Sequence, residues 1–261
     1  MLIDIHTHLD MEQFSGEITA IIGRAKSAGV LKMINASFDL LSSRRSVDLA
    51  RMHPEVYAAI GIHPDSSFDL NIESYQQLIT LAGHKKVVAI GEIGLDYYYL
   101  KRSSQYSNFP NRERQIQVFE QMLDLALELK LPVIIHSREA DADLLAILKS
   151  YAGSLIGVVH CFSSDLHFAE EIINLGLAIS VTGNITFKNA EALRLVIERI
   201  PLGSMMVETD CPFLAPEPYR GERNEPAYVV EVAKKIAEIK KISLAEVERN
   251  TTKKAIKLFG L

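Results

Sequence analysis

Residues 132–160, PVIIHSREADADLLAILKSYAGSLIGVVH, decide the fold. The stretch opens on a short apolar, β-branched run that ends in His136 and passes through a longer amphipathic segment at about 140–150. It closes on a second apolar run that ends in His160. Runs this short suit strands buried on both faces, and the segment between them suits a helix. Strand, helix, strand in that order is the unit of a parallel sheet.

The same alternation extends in both directions. Apolar runs occur at 2–6 (LIDIH), 30–35 (VLKMIN), 56–61 (VYAAIG), 87–91 (VVAIG), 132–136, 156–160, 177–181 (LAISV) and 204–208 (SMMVE). Helical segments fit between them at about 15–28, 39–52, 71–82, 111–130, 140–150, 165–175 and 188–199, with a last pair at about 225–239 and 243–258. Gly29 and Gly176 stand where helix-ending glycines belong, and Pro132 and Pro201 follow helices. Eight such units in 261 residues predict a single-domain TIM-type (β/α)₈ barrel spanning 1–261. An open doubly wound sheet would need its edge strands to read as buried on both faces, which edge strands rarely do.

Composition narrows the class. No apolar run approaches the roughly 20 residues that span a bilayer. The start, MLIDIHTHLD, lacks the basic and apolar regions of a leader. The two cysteines, Cys161 and Cys211, make no CxxC pair and suit a reducing compartment. The cytoplasm is the expected location. A net charge of −5 argues against a protein that coats nucleic acid, though not against an enzyme acting on it.

In a barrel, chemistry gathers where the strands end. The first run ends in His6-Thr7-His8, the third leads to His63 and the fourth to Glu92. The fifth and sixth end in His136 and His160, the seventh leads to Asn184, and the eighth runs into Glu208-Thr209-Asp210. Five of the eight histidines fall at these ends. A lone histidine at a strand end is more often a hydrogen-bonded structural residue than a ligand. Four histidines and two carboxylates converging on one mouth are harder to explain that way, and imidazole with carboxylate is the ligand set of zinc and related cations. His6 and His8, two residues apart on a strand, face the same way. By the same parity Cys161 and Cys211 turn aside and read as small hydrophobes. His53, His84 and His167 read as solvated.

Beyond these residues lies a resemblance. DIHTHLD at 4–10, GIHP at 61–64, GEIGLDYY at 91–98, IHSR at 135–138 and HCFS at 160–163 resemble the TatD family of metal-dependent deoxyribonucleases. TGNITFKNA at 182–190, ETDCPFLAP at 208–216 and PYRGERNEP at 218–226 do too, so the likeness covers essentially the whole chain. It implies metal ligands His6, His8, Glu92, His136, His160 and Asp210. It also implies hydrolysis of DNA phosphodiesters, chiefly removal of nucleotides from a 3′ end. The cofactor expected is a pair of divalent ions, Mg, Mn or Zn, about 3.5–4 Å apart.

On that footing Glu92 bridges the ions, since a carboxylate can offer one oxygen to each. His6, His8 and Asp210 complete one site, and His136 and His160 the other. Asp210 also takes a proton from the attacking water. Phosphate contacts are expected from His63, Arg138, Lys188, Asn184, Arg220 and Arg223, although each charged one could equally be a solvated surface residue. Tyr97, Tyr98, Tyr99, Tyr106 and Phe109, interleaved with Lys101 and Arg102, suit a single strand held without sequence reading. The partner expected is therefore DNA, single-stranded or at 3′ ends, and no membrane. Rival readings are an amidohydrolase or lactonase, a hydrolase of aminoacyl-tRNA esters, and a non-catalytic scaffold. The first often bridges its metals with a modified lysine where this chain has Glu92, and the last would show missing ligands.

Overall fold

The structure, a computed structural model, describes residues 1–102 and 108–261. Eight strands run β1 (Leu2–Thr7), β2 (Val30–Asn35), β3 (Val56–Ile60), β4 (Val87–Asp96), β5 (Val133–Arg138), β6 (Gly157–Val159), β7 (Ala178–Val181) and β8 (Met205–Val207). They pair in sequence order, and every pairing is parallel. The ring closes through a parallel bridge between Thr7 and Cys211, where His8 N donates to Cys211 O at 2.9 Å and Asp210 N to His6 O at 3.0 Å. The expected barrel is the one observed.

Helices separate the strands: α1 (Ile18–Ser27), α2 (Leu40–Met52), α3 (Ile72–Ala82), α4 (Arg112–Leu129), α5 (Asp141–Ser150), α6 (Leu166–Asn174) and α7 (Glu191–Arg199). The chain ends in α8 (Val229–Lys240) and α9 (Leu244–Phe259). Their starts follow local chemistry. The Asp39, Asn71, Asn111, Asp165 and Ser243 side chains each accept from the first-turn backbone N–H groups of α2, α3, α4, α6 and α9. Gly29 and Gly176 follow α1 and α6 with φ of +85° and +87°, the left-handed turn anticipated for them. Among the described residues, no helix is long and apolar enough to cross a membrane.

Two apolar layers hold the barrel. Ile3, Ile34, Ala59, Ala89, Ile134, Val158, Ala178 and Met206, one from each strand, form one cluster, which α9 joins through Ala255 and Phe259. The other lies between strands and helices, where Ile21, Val47, Leu78, Phe119, Leu144, Ile172, Ile197 and Ile236 pack on the outward residues of the sheet. Alternation carries function from the first cluster: residues two on from Ile134 and Val158 are His136 and His160. In β1 a register shift between Asp4 and Thr7 interrupts that alternation in the stretch that carries His6.

One strand departs from expectation. The fourth apolar run reads as ending at residue 91, yet β4 continues to Asp96, buried throughout. Residues 93–96 pair with Ile135 to Arg138 of β5, so Glu92 lies inside a strand and not beyond its end. Charged and glycine residues in GEIGLD hide this extension. Gly94 is required there: its φ is +146°, and a Cβ would sit 2.1 Å from His136 O. Gly94→Ala is expected to cost about 3 kcal/mol or more, from strained backbone plus overpacking, and to displace His136. Thermal unfolding would check it; an unchanged midpoint would show that β4 and β5 can separate freely.

Candidate metal centre

All six expected ligands meet at the C-terminal mouth of the barrel, organised around Glu92. Its Oε1 lies 2.6 Å from His136 Nδ1 and 2.7 Å from His160 Nε2. Its Oε2 lies 3.2 Å from His6 Nε2 and 3.9 Å from His8 Nε2. Asp210 approaches the second group from the other side, with Oδ1 3.3 Å from His8 Nε2 and 3.7 Å from His6 Nε2. His6 stacks on His160 at 3.9 Å and 8°, so the two halves adjoin.

The outer partners of the rings fix which nitrogen is free for a cation. His8 Nδ1 lies 3.0 Å from Ala36 O and must donate to it, leaving an Nε2 lone pair facing inward. His160 Nδ1 lies 3.3 Å from Glu208 Oε1 and does the same. His136 presents Nδ1 to the centre, with Asp96 Oδ2 3.4 Å from Nε2, a charge contact without hydrogen-bond alignment. His63 is reversed. Its Nδ1 accepts from Asp65 N at 3.2 Å, so the neutral ring carries its proton on Nε2, 3.5 Å from Glu92 Oε1. Geometry gathers His63 with Glu92 and His136, but its tautomer makes it a donor and not a ligand.

The donor set fits divalent cations. His6 Nε2 and His8 Nε2 point at each other across 3.1 Å, and His6 Nδ1 is buried with no hydrogen-bond partner among the described residues. His6, His8 and Glu92 place one ligand atom each within 4.8 Å of one another. Imidazole nitrogens facing a shared carboxylate are a cation-binding arrangement.

Electrostatics agree. Burial would raise the Glu92 carboxyl, but His160, His63, His6 and His136 outweigh it and hold Glu92 well below the usual carboxylate range. Burial works against charge on His136, yet the Asp96 and Glu92 carboxylates override it and push its pKa up to about 9. His160 is raised well above its ordinary value despite burial, by Glu92 and Glu208. Burial lowers His6, helped by His160. Burial likewise keeps the Cys161 and Cys211 thiols protonated, so neither is a thiolate.

Two carboxylates behind the histidines are not evident from the motifs. Asp96 backs His136. Glu208, fully buried, accepts from Cys161 N at 2.7 Å and Ser180 Oγ at 2.5 Å besides contacting His160. Parity from Met206 would have turned Glu208 inward. A third, Asp4, holds Thr209 by its N and Oγ1 at 2.9 and 2.6 Å, and so positions the turn to Asp210. Cys161 and Asp210 both take left-handed backbone, at φ of +46° and +56°, uncommon outside glycine and frequent at functional sites.

The expected phosphate contacts divide. Arg138 is exposed at the end of β5, its guanidinium 3.6 Å from the Tyr98 ring centre. Arg220 lies 3.5 Å over Phe187, and Lys188 is exposed nearby. Asn184 Oδ1 is buried with no hydrogen-bond partner among the described residues. Arg223 is already engaged, with Nη2 on Glu17 Oε2 at 2.8 Å and Nη1 on the Gln13 carbonyl. Tyr97 donates to Asp143 at 2.7 Å and packs on the core, whereas Tyr98 lines the mouth. Tyr106 and the Lys101 side chain lie outside the described residues. Of the remaining histidines, His167 is exposed; His53 and His84 are half-buried, His53 ending α2.

Comparison with known proteins gives one answer. The family described as TatD related DNase matches residues 3–260. The uncharacterized metal-dependent hydrolase YabD of Bacillus subtilis is 39% identical, with 100% of both chains covered. The uncharacterized metal-dependent hydrolase TatD of Mycobacterium tuberculosis is 33% identical over 100% of this chain and 98% of its own. The crystal structure of YjjV, a TatD homolog from Escherichia coli K12, superposes with a TM-score of 0.91 at 34% identity, covering 100% of this chain and 98% of that one. With that barrel, that whole-length match and that ring of imidazoles, the chain belongs to the TatD family of metal-dependent hydrolases.

Proposed function

We propose that this hydrolase cleaves phosphodiester bonds of DNA, removing nucleotides from 3′ ends with two divalent ions, Mg, Mn or Zn. The observation that carries the reading is Glu92, whose two oxygens face two separate groups of imidazoles. His6, His8 and Asp210 would hold one ion, His136 and His160 the other, with Glu92 between. Such ions supply charge neutralisation on the phosphoryl oxygens and activation of water. The DNase description of the family supports DNA as substrate. The free cysteines suit the cytoplasm.

The chain's own groups have distinct tasks. Glu208, Asp96 and the Ala36 carbonyl orient the rings of His160, His136 and His8. His63 offers its Nε2 proton to a non-bridging phosphate oxygen. Asp210, ionised because His8 and His6 outweigh its burial, accepts a proton from the attacking water. Arg138 meets the anion at the rim. The test is incubation with end-labelled single- and double-stranded DNA and RNA in Mg²⁺ or Mn²⁺. Ladders shortened from the 3′ end and silenced by chelator are expected; rapid cleavage of a neutral ester or amide with none of DNA would favour the amidohydrolase reading.

Ion uptake should also depend on pH. His136 and His160 have raised pKa values in the ion-free protein, so near neutrality they carry protons that a cation must displace, and His8 is shifted in the same direction. Apparent affinity should therefore tighten as pH rises from about 6 to 9, with net proton release. Calorimetry in buffers of different ionisation heat would measure it. Affinity independent of pH, with no proton released, would place the ions on other groups.

A further inference from the structure

A cleft of about 370 Å³ opens beside the metal centre, between the ends of β5 and β6, and shares His160 with it. Its wall is a stack. The guanidiniums of Arg102 and Arg138 each lie 3.6 Å from the centre of the Tyr98 ring. Two cations that close to one centre must occupy opposite faces of Tyr98; Arg138, which also lies 5.7 Å from the Tyr99 ring centre and 3.9 Å from Asp96 Oδ2, lines the cleft with Tyr98. Phe162 and Phe168, nearly parallel at 6.1 Å, form an apolar floor. The lining also carries polar groups: Ser137, Ser164 and Asp141.

A second phosphate suits this cleft poorly, because the Glu139 and Asp141 carboxylates line it and Arg138 already lies 3.9 Å from Asp96 Oδ2. A flat, neutral, hydrogen-bonding group suits it well. The direction of those hydrogen bonds can be read. Ser137 Oγ donates to Asp141 Oδ1 at 2.9 Å, and Ser164 Oγ donates to Asp141 Oδ2. Both hydroxyl protons are therefore used, and the two serines present lone pairs to the cleft.

We propose that this cleft seats the nucleobase adjoining the scissile phosphate and favours bases with an exocyclic amino group. The proposal rests on the nuclease reading and adds to it a place and a preference. Arg138 stacks on the base as guanidinium planes do. Adenine, cytosine and guanine can donate an amino N–H to Ser137 or Ser164, whereas thymine turns a carbonyl toward them and leaves two acceptors facing.

The test uses the full chain in chelator, so that binding is read without turnover. Oligonucleotides carry 2-aminopurine at each of the three 3′-terminal positions in turn, with anisotropy reporting binding and quenching reporting stacking. Quenching at one position is expected, and its loss in Ser163→Trp, which fills the cleft from its exposed rim. With metal restored, that variant should raise KM for a normal oligonucleotide at least tenfold more than for one abasic at the same position. Cytosine there should be favoured over thymine about threefold to tenfold in kcat/KM. Bound oligonucleotide without position-specific quenching, equal losses on normal and abasic substrates, or a thymine preference would each overturn the proposal. Failure to bind or cleave any oligonucleotide would instead sink the nuclease reading beneath it.

Discussion

Glu92→Gln is expected to lower hydrolysis by several orders of magnitude while the barrel stays folded. Glutamine keeps the shape but replaces one oxygen with an amide nitrogen that cannot ligate a cation. Glu92 stands alone between the imidazoles of His136 and His160 on one side and those of His6 and His8 on the other, so one group must lose its anionic partner. The half with Asp210 keeps His6, His8 and a carboxylate and should still bind one ion. The half with His136 and His160 keeps two neutral rings and should weaken strongly. A paired clamp on phosphate and attacking water contributes much of such a rate, and a lost ion also misplaces the reactants. Stability should change little, because the packed strand layers lie below the mouth. Metal analysis, circular dichroism and a nuclease assay check all three statements. Two ions at full occupancy with near-normal cleavage would remove Glu92 from the bridging position.

Much of this centre can be read from the sequence, because a barrel turns one-dimensional position into shared location. His136 and His160 stand at the ends of apolar runs, and parity with Ile134 and Val158 aims them inward. What cannot be read depends on partners that the motifs do not reveal, some of them distant along the chain. Arg223 looks like a free cation at the mouth, yet Glu17, 206 residues away, engages it. His63 looks like a generic phosphate contact. Only the Asp65 backbone N–H on its Nδ1 shows that the proton sits on Nε2. The extension of β4 is masked for another reason: Glu92 and Asp96 are charges in a buried strand, a pattern that ordinarily argues against one. Such conflict between local composition and observed structure is expected where function outweighs stability.

Asp210→Asn separates ligation from proton transfer at the same residue. The amide oxygen can still face His8 and His6, so ion content should fall little compared with Glu92→Gln. What asparagine cannot do is accept a proton from the attacking water. Loss of a general base costs typically 10²–10⁴-fold, and kcat should fall by about that factor with KM nearly unchanged. The pH profile supplies a second readout. Burial would raise the Asp210 carboxyl, but His8, His6 and His160 together hold it below its ordinary value, and a bound cation would act in the same direction. The wild-type rate should therefore show no acid limb from this residue above about pH 5. That depressed pKa makes Asp210 a modest base, ionised throughout the working range, so the variant's residual rate should climb with hydroxide as the solvent takes over the proton. A variant that keeps its ions and loses less than about threefold in kcat would leave Asp210 as a ligand only. The proton would then have to leave through another group at the mouth.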